Sequence, residues 1–236
     1  METMRESMNC RNSPPQPADE FLKRLSLAAR RDLEAMQCPQ HVPANRVLFS
    51  EREAARGIVL VFSGEVKMSI NSSDGRRLSL GIVRKGEILG LSSTLSGRAY
   101  DLTAETLYPA SIAPIGRAEF LAFLMRHPEV YLTVIEELSL HVSMARRQLR
   151  TVALSATAPE KLARLLLDWS ENGQITECGT RFRFPLTHEQ IGEFIGASRE
   201  TVTRTMAAFK HRRLVAFQGS MATIPNRTAL ASYAGN

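Results

Sequence analysis

The segment 186–204 constrains the fold more than any other part of the chain, because successive local signals in it agree. Thr187 with Gln190 three residues on has the form of a capping box, which opens a helix. Ile191 and Ile195 fall one turn apart on one face, and Gly196 permits the left-handed backbone of a sharp turn. Ser198, with Thr201 at the third position after it, caps a second helix whose inner face carries Val202, Met206 and Phe209. Two helices joined by such a turn make a helix-turn-helix. The runs Val215-Ala216-Phe217 and Ala222-Thr223-Ile224, joined by Gln218-Gly219-Ser220, predict a hairpin behind it, the wing of a winged helix-turn-helix.

That arrangement leaves Arg199, Glu200, Thr203 and Arg204 on the outer face of the second helix, near its N-terminus. In a helix-turn-helix this is the part that enters a major groove. Arginine forks onto O6 and N7 of guanine, and glutamate accepts from the N4 amine of cytosine, so these side chains suit base reading. Thr187, His188, Ser198 and Thr201 are placed to meet phosphates, which set register and carry no sequence information. Charge agrees: the chain has a formal net charge of +6, and 199–213 alone holds five basic residues against Glu200. Double-stranded DNA is the partner this predicts. No Ser/His/Asp spacing, phosphate-cradling glycine loop or paired metal ligands point to an enzyme, and no cofactor is expected.

The remaining chain reads as an α+β protein. Residues 1–20 are polar and broken by Pro14, Pro15 and Pro17, a flexible arm; 21–36 predicts one amphipathic helix that Pro39 and Pro43 stop. Between 46 and 115 the texture is β-rich, with strands at 47–49, 58–62, 66–70, 78–83, 102–107 and 111–115. Asn71-Ser72-Ser73-Asp74-Gly75 joins two of them. Short strands at this spacing predict a small antiparallel barrel or roll over 21–127.

A long helix follows at 129–155, within a segment 128–156 opened by Pro128. Tyr131, Ile135, Leu138, Val142, Ala145, Leu149 and Val152 recur at alternating steps of four and three, a heptad seam that predicts a homodimer. Residues 157–236 then form the winged domain, with a helix at 161–170 closed by Glu171-Asn172-Gly173 and a β pair at 175–176 and 181–184. No apolar run approaches the ~18–20 residues that span a bilayer. A cytoplasmic protein without membrane contact is expected.

Several of these stretches are similar to one family. Ser198-Arg199-Glu200-Thr201-Val202-Thr203-Arg204 resembles the recognition helix of the cyclic-AMP receptor protein/FNR regulators. Arg46-Val47-Leu48-Phe49, Val61-Phe62-Ser63-Gly64-Glu65-Val66 and Gly86-Glu87-Ile88-Leu89-Gly90 look like strands and turns of that family's cyclic-nucleotide-binding β-roll. The resemblance implies a homodimer on a twofold site with TGTGA-like halves, and RNA polymerase as a further partner. Arg199, Glu200 and Arg204 would be its base readers.

The effector pocket departs from the pattern. Members that bind cyclic AMP carry a glutamate after the glycine matched by Gly90 and an Arg-Ser pair about ten residues on. Leu91 and Tyr100-Asp101 stand at those places, with Arg98 as the nearest basic residue. Leucine accepts no ribose hydroxyl and aspartate repels a phosphate, so binding of cyclic AMP in the usual mode is not expected. Iron-sulfur sensing by this family takes four thiolates; Cys10, Cys38 and Cys178 are three, and reduced thiols are expected. His41, His127, His141, His188 and His211 show no haem-ligating pair.

Overall fold

The β-branched runs become strands close to where their composition places them: β2 (Val47–Phe49), β3 (Gly57–Ser63), β4 (Val66–Asn71), β5 (Arg77–Val83), β7 (Thr103–Thr106) and β8 (Ala110–Gly116). Two shorter strands join them, β1 (Gln40–Val42) and β6 (Ile88–Leu89). The computed structural model describes residues 20–73, 75–155, 157–171 and 173–234; the arm with Cys10, and Asp74, Ala156 and Asn172, lie outside these. The strands form two four-stranded sheets, ordered β1-β8-β3-β6 and β2-β7-β4-β5. This is the expected antiparallel roll. Strand β3 runs down its centre, paired with β8 from Gly57↔Gly116 onward and buried from Ile58 to Phe62.

One core holds this part together. Ile58, Leu60, Phe62 and Ile88 meet Phe120, Phe123 and Leu124 of a helix α4 (Arg117–Arg126), and Val130 and Val134 of the long helix α5 (Val130–Leu149). The single N-terminal helix is corrected to two, α1 (Glu20–Lys23) and α2 (Leu27–Met36). Ser26 breaks them: its hydroxyl accepts from the Ala29 amide at 3.2 Å as an N-cap and donates to Glu129 at 3.0 Å. Arg24, in the break, pairs with Glu137 at 2.7 Å and Glu136 at 3.1 Å, both on α5. Phe21, Leu22, Ala29 and Leu33 are thereby seated in the core.

Helix α5 separates its two stripes. Val130, Thr133, Val134 and Glu137 are buried within their own unit. About a quarter-turn round, Tyr131, Ile135, Val142, Ala145 and Leu149 of the heptad seam are exposed. Leu138 departs from the seam, half-buried against the core, and Val152 is half-buried as well. The α-helix ends at Leu149, short of residue 155, in a π-helical stretch Arg150–Leu154. Cys178 is free and exposed, whereas Cys38 is disulfide-bonded, against the expectation of reduced thiols. Spacing along a chain does not report which sulfurs approach in space.

The chain divides into two compact units, one running to Asn71 and again over Leu80–Ser143, the other holding Ser72–Ser79 and Met144 onward. In the second unit come α6 (Ala158–Trp169), β9 (Gln174–Thr176), β10 (Gly179–Arg183), α7 (His188–Ile195), α8 (Arg199–His211), β11 (Ala216–Gln218), β12 (Met221–Ile224) and α9 (Arg227–Ala231). Its strands make one antiparallel sheet, β11-β12-β10-β9. Aromatic contacts fasten the helices to it: Trp169 stands edge-on to Phe184, ring centroids 5.0 Å apart, and lies 6.4 Å from Phe194. No helix among the described residues is long and apolar enough to cross a membrane.

Candidate nucleic-acid interface

The helix-turn-helix is built from the signals in its sequence. Thr187 Oγ1 accepts from the Gln190 amide at 3.2 Å while Gln190 Oε1 accepts from the Thr187 amide at 2.9 Å, closing the capping box of α7. Gly196 ends that helix with φ at +64°, and the Ser198 hydroxyl caps α8 by accepting from the Thr201 amide at 3.3 Å. Ile191, Phe194 and Ile195 of α7 and Val202, Met206 and Phe209 of α8 are buried. Two features escaped the sequence reading. Gln148, from the end of α5, donates to the Phe194 carbonyl at 2.6 Å. Gly192 lets the turn fold back onto α7, since a Cβ there would stand 2.5 Å from the Ala197 carbonyl oxygen.

Gly192→Ala is therefore a test of the motif's packing. Alanine favours a helix interior by about 1 kcal/mol, but overpacking costs about 1–3 kcal/mol, and a backbone oxygen cannot swing aside as a flexible side chain does. A net loss of up to about 2 kcal/mol is expected in the denaturant unfolding of this unit. A gain in stability would contradict the packing.

Arg199, Glu200, Thr203 and Arg204 are all exposed on the outer face of α8, the face opposite its buried residues. The Glu200 carboxyl is held below the usual carboxylate range by its own backbone N–H at the helix start and by Ser198, with Arg199 and Arg204 adding to the effect. It is thus an acceptor at neutral pH. Arg204 Nη2 lies 3.5 Å from Thr201 Oγ1. The Thr203 hydroxyl donates to the Arg199 carbonyl at 2.8 Å, so it accepts from His188 Nδ1, also at 2.8 Å. With that hydroxyl hydrogen engaged by the carbonyl, His188 Nδ1 is the donor of the pair. Thr203 is engaged inside the motif, and His188, expected among the phosphate-facing residues, bridges α7 to it.

Two basic residues, Lys210 in the last turn of α8 and Arg212 just past it, have aromatic partners. Lys210 Nζ lies 5.1 Å from the centre of the Phe217 ring on the wing, and Arg212 stacks over Tyr233 at 5.7 Å while donating to its hydroxyl. These contacts hold Lys210 and Arg212, so the reach of Arg199 and Arg204 is the less restricted.

In the β-roll, the residues matched to an effector pocket divide. Leu91 opens helix α3 (Leu91–Ser96) and is buried, and Tyr100 is buried too. The Tyr100 hydroxyl donates to the Gly57 carbonyl at 2.8 Å and accepts from the Arg56 and Gly57 amides, each at 3.2 Å. Its ring stacks on Phe49, centroids 3.9 Å apart, and lies against Gly90, where a Cβ would stand 3.1 Å from Tyr100 Cε1. Its polar atom is thus spent on the fold. Arg98 and Asp101 are exposed, and Ser93 donates to Asp101 at 3.4 Å. His127 lies between Asp32 at 2.9 Å and Glu129 at 3.4 Å.

His141 on α5 has a buried Nε2 with no hydrogen-bond partner among the described residues. Burial holds its imidazole below the ordinary 6.5, against the opposing pull of Glu137 and Asp101. The unfolded chain then takes up a proton at a pH where the folded chain does not. This contribution to stability is complete above pH 6.5 and is lost as pH falls through the lower folded value. Melting temperature should drop between about pH 7.5 and about pH 5.5, and H141Q should remove part of that drop. A drop that H141Q leaves unchanged would place the acid sensitivity elsewhere.

Comparison with known proteins fits this geometry. Residues 39–127 match the cyclic nucleotide-binding domain and residues 160–233 match the Crp-like helix-turn-helix domain. The transcriptional activatory protein AadR of Rhodopseudomonas palustris is 27% identical over 75% of this chain and 73% of its own length. A CRP-like cAMP-activated global transcriptional regulator of Mycobacterium tuberculosis is 25% identical over 82% of this chain and 86% of its own. The structure of FixK2 from Bradyrhizobium japonicum superposes with a TM-score of 0.72 at 21% identity, covering 84% of this chain and 96% of that one, which establishes a shared fold. With a cyclic-nucleotide-type β-roll, a long helix and a capped helix-turn-helix in one chain, the protein belongs to the CRP/FNR family of DNA-binding transcriptional regulators.

Proposed function

We propose that the protein regulates transcription as a homodimer on a twofold DNA site with TGTGA-like halves. Arg199, Glu200 and Arg204 read bases, and Thr203 offers its methyl group and remaining lone pair beside them. Thr187, His188, Ser198 and Thr201 contact phosphates. Tyr131, Ile135, Val142, Ala145 and Leu149 form the dimer seam, with Leu138 and Val152 at its border. RNA polymerase is the partner on which such a regulator acts, in the cytoplasm.

The observation that carries this reading is the first turn and a half of α8, capped by Ser198, with Arg199, Glu200 and Arg204 exposed while Val202, Met206 and Phe209 are buried beneath them. The test is direct competition for the full chain between a TGTGA palindrome and a scrambled duplex of the same length. Preference for the palindrome supports the reading, and equal binding rejects it.

Control is not by cyclic AMP in the family's usual mode. The Mycobacterium tuberculosis relative carries a name that says it is cAMP-activated. Here Leu91 supplies no ribose acceptor, the Tyr100 hydroxyl is bound to backbone, and Asp101 brings a negative charge to where a phosphate would lie.

A further inference from the structure

A second basic cluster lies in the C-terminal unit, away from the recognition helix. Arg147 and Arg150, at the end of α5 and the start of the π-helical stretch, face Arg164 on α6 and Arg227 at the start of α9 across a groove of about 510 Å³. Helical spacing puts Arg164, Leu167 and Asp168 on one face of α6, opposite the apolar face by which it joins its core, and Glu171 follows just past the helix end. None of the groove's lining residues belongs to α7 or α8.

The charges in this groove are incompletely met. Arg147 lies 3.7 Å from Glu171 in an exposed pair, and Arg227 donates to the carbonyl and hydroxyl of Ser170, both neutral. Among the described residues the buried Nε of Arg164 has no acceptor, and Arg150, exposed, makes no hydrogen bond or ion pair. Against the four arginines the groove holds two acids, Asp168 and Glu171. Gathering guanidinium groups is unfavourable, as is leaving a buried N–H without an acceptor. An anion with several oxygens, accepting from the arginine groups that line the groove, would relieve the first. Guanidinium forks match phosphate oxygens, and Leu167, Ala231 and Ala234 add an apolar wall for an organic portion. The volume is within the range of sites for small metabolites.

We propose that this groove binds a phosphorylated metabolite bearing a diphosphate-type group. The site stands independently of the DNA-reading assignment. Calorimetric titration of the full chain with sodium pyrophosphate, against sodium sulfate at matched ionic strength, tests it. Saturable binding of one pyrophosphate per chain is expected, about tenfold or more tighter than sulfate, and weakened about tenfold by Arg150→Gln or Arg164→Gln. Arg150 is exposed, so its variant keeps the fold. Arg204→Gln should leave pyrophosphate binding unchanged. The proposal is overturned by any of three results: no saturable binding, binding that R150Q and R164Q do not weaken, or binding that duplex DNA displaces and R204Q abolishes.

Discussion

Replacing Ile135 and Val142 together by arginine is expected to turn the protein into a monomer. These side chains are 57% and 49% exposed on α5, so the fold of each chain does not depend on them. In a dimer they would be covered, each contributing on the order of 1 kcal/mol as the half of its surface still in water is removed. An unpaired arginine in their place costs several kcal/mol, enough to abolish association at micromolar concentration. Sedimentation would give half the wild-type mass with unchanged far-ultraviolet dichroism. Affinity for a twofold site should fall by about 10²–10⁴, because the two half-sites are no longer held together. An unchanged mass would show that this face is not the interface. Leu138 is the wrong place for the experiment: it packs against the core of its own unit, so a charge there would damage the fold as well.

The second large effect is on reading. Arg204→Ala should weaken binding to the matched site by about 1–3 kcal/mol and flatten preference at one base pair, while affinity for unrelated duplex changes little. Lys210→Ala makes the contrast. That ammonium lies over Phe217, and its loss should weaken all sequences alike, through charge and through the wing. Competition assays with single-base variants of the site separate the two. If R204A lowered affinity for every sequence equally, Arg204 would be a phosphate contact.

What was legible in the sequence was what local chemistry decides. The Thr187/Gln190 box, the turn at Gly196 and the Ser198 cap each act within a few residues, and each formed where its spacing placed it. Strand β3 was legible because both its faces are apolar, and β4 and β5 because apolar residues alternate with polar ones. Strand β1 was not, since its three residues lie between prolines and pair with β8 some 70 positions away (Gln40↔Ile112). Helix α4 does carry a helical pattern in Phe120, Phe123 and Leu124, but Gly116 before it offers no side-chain cap; instead Glu119 accepts from the Gly116 amide at 3.3 Å. The heptad steps identified an apolar stripe without saying which of its members another stripe on α5 would draw inward, as Leu138 is drawn. Tyr100 shows the same limit. Its absence of arginine chemistry could be read, but its three hydrogen bonds to the backbone around Gly57 depend on strands far apart in sequence.

Reading of a twofold TGTGA-like site by α8 is tested most directly by fluorescence anisotropy on labelled duplexes. Titrations at about 50 mM and about 200 mM salt should show affinity for the palindrome exceeding that for scrambled duplex by about 10³-fold or more, with both falling as salt rises. Equal affinity for the two duplexes, or binding indifferent to salt, would contradict the assignment of Arg199, Glu200 and Arg204.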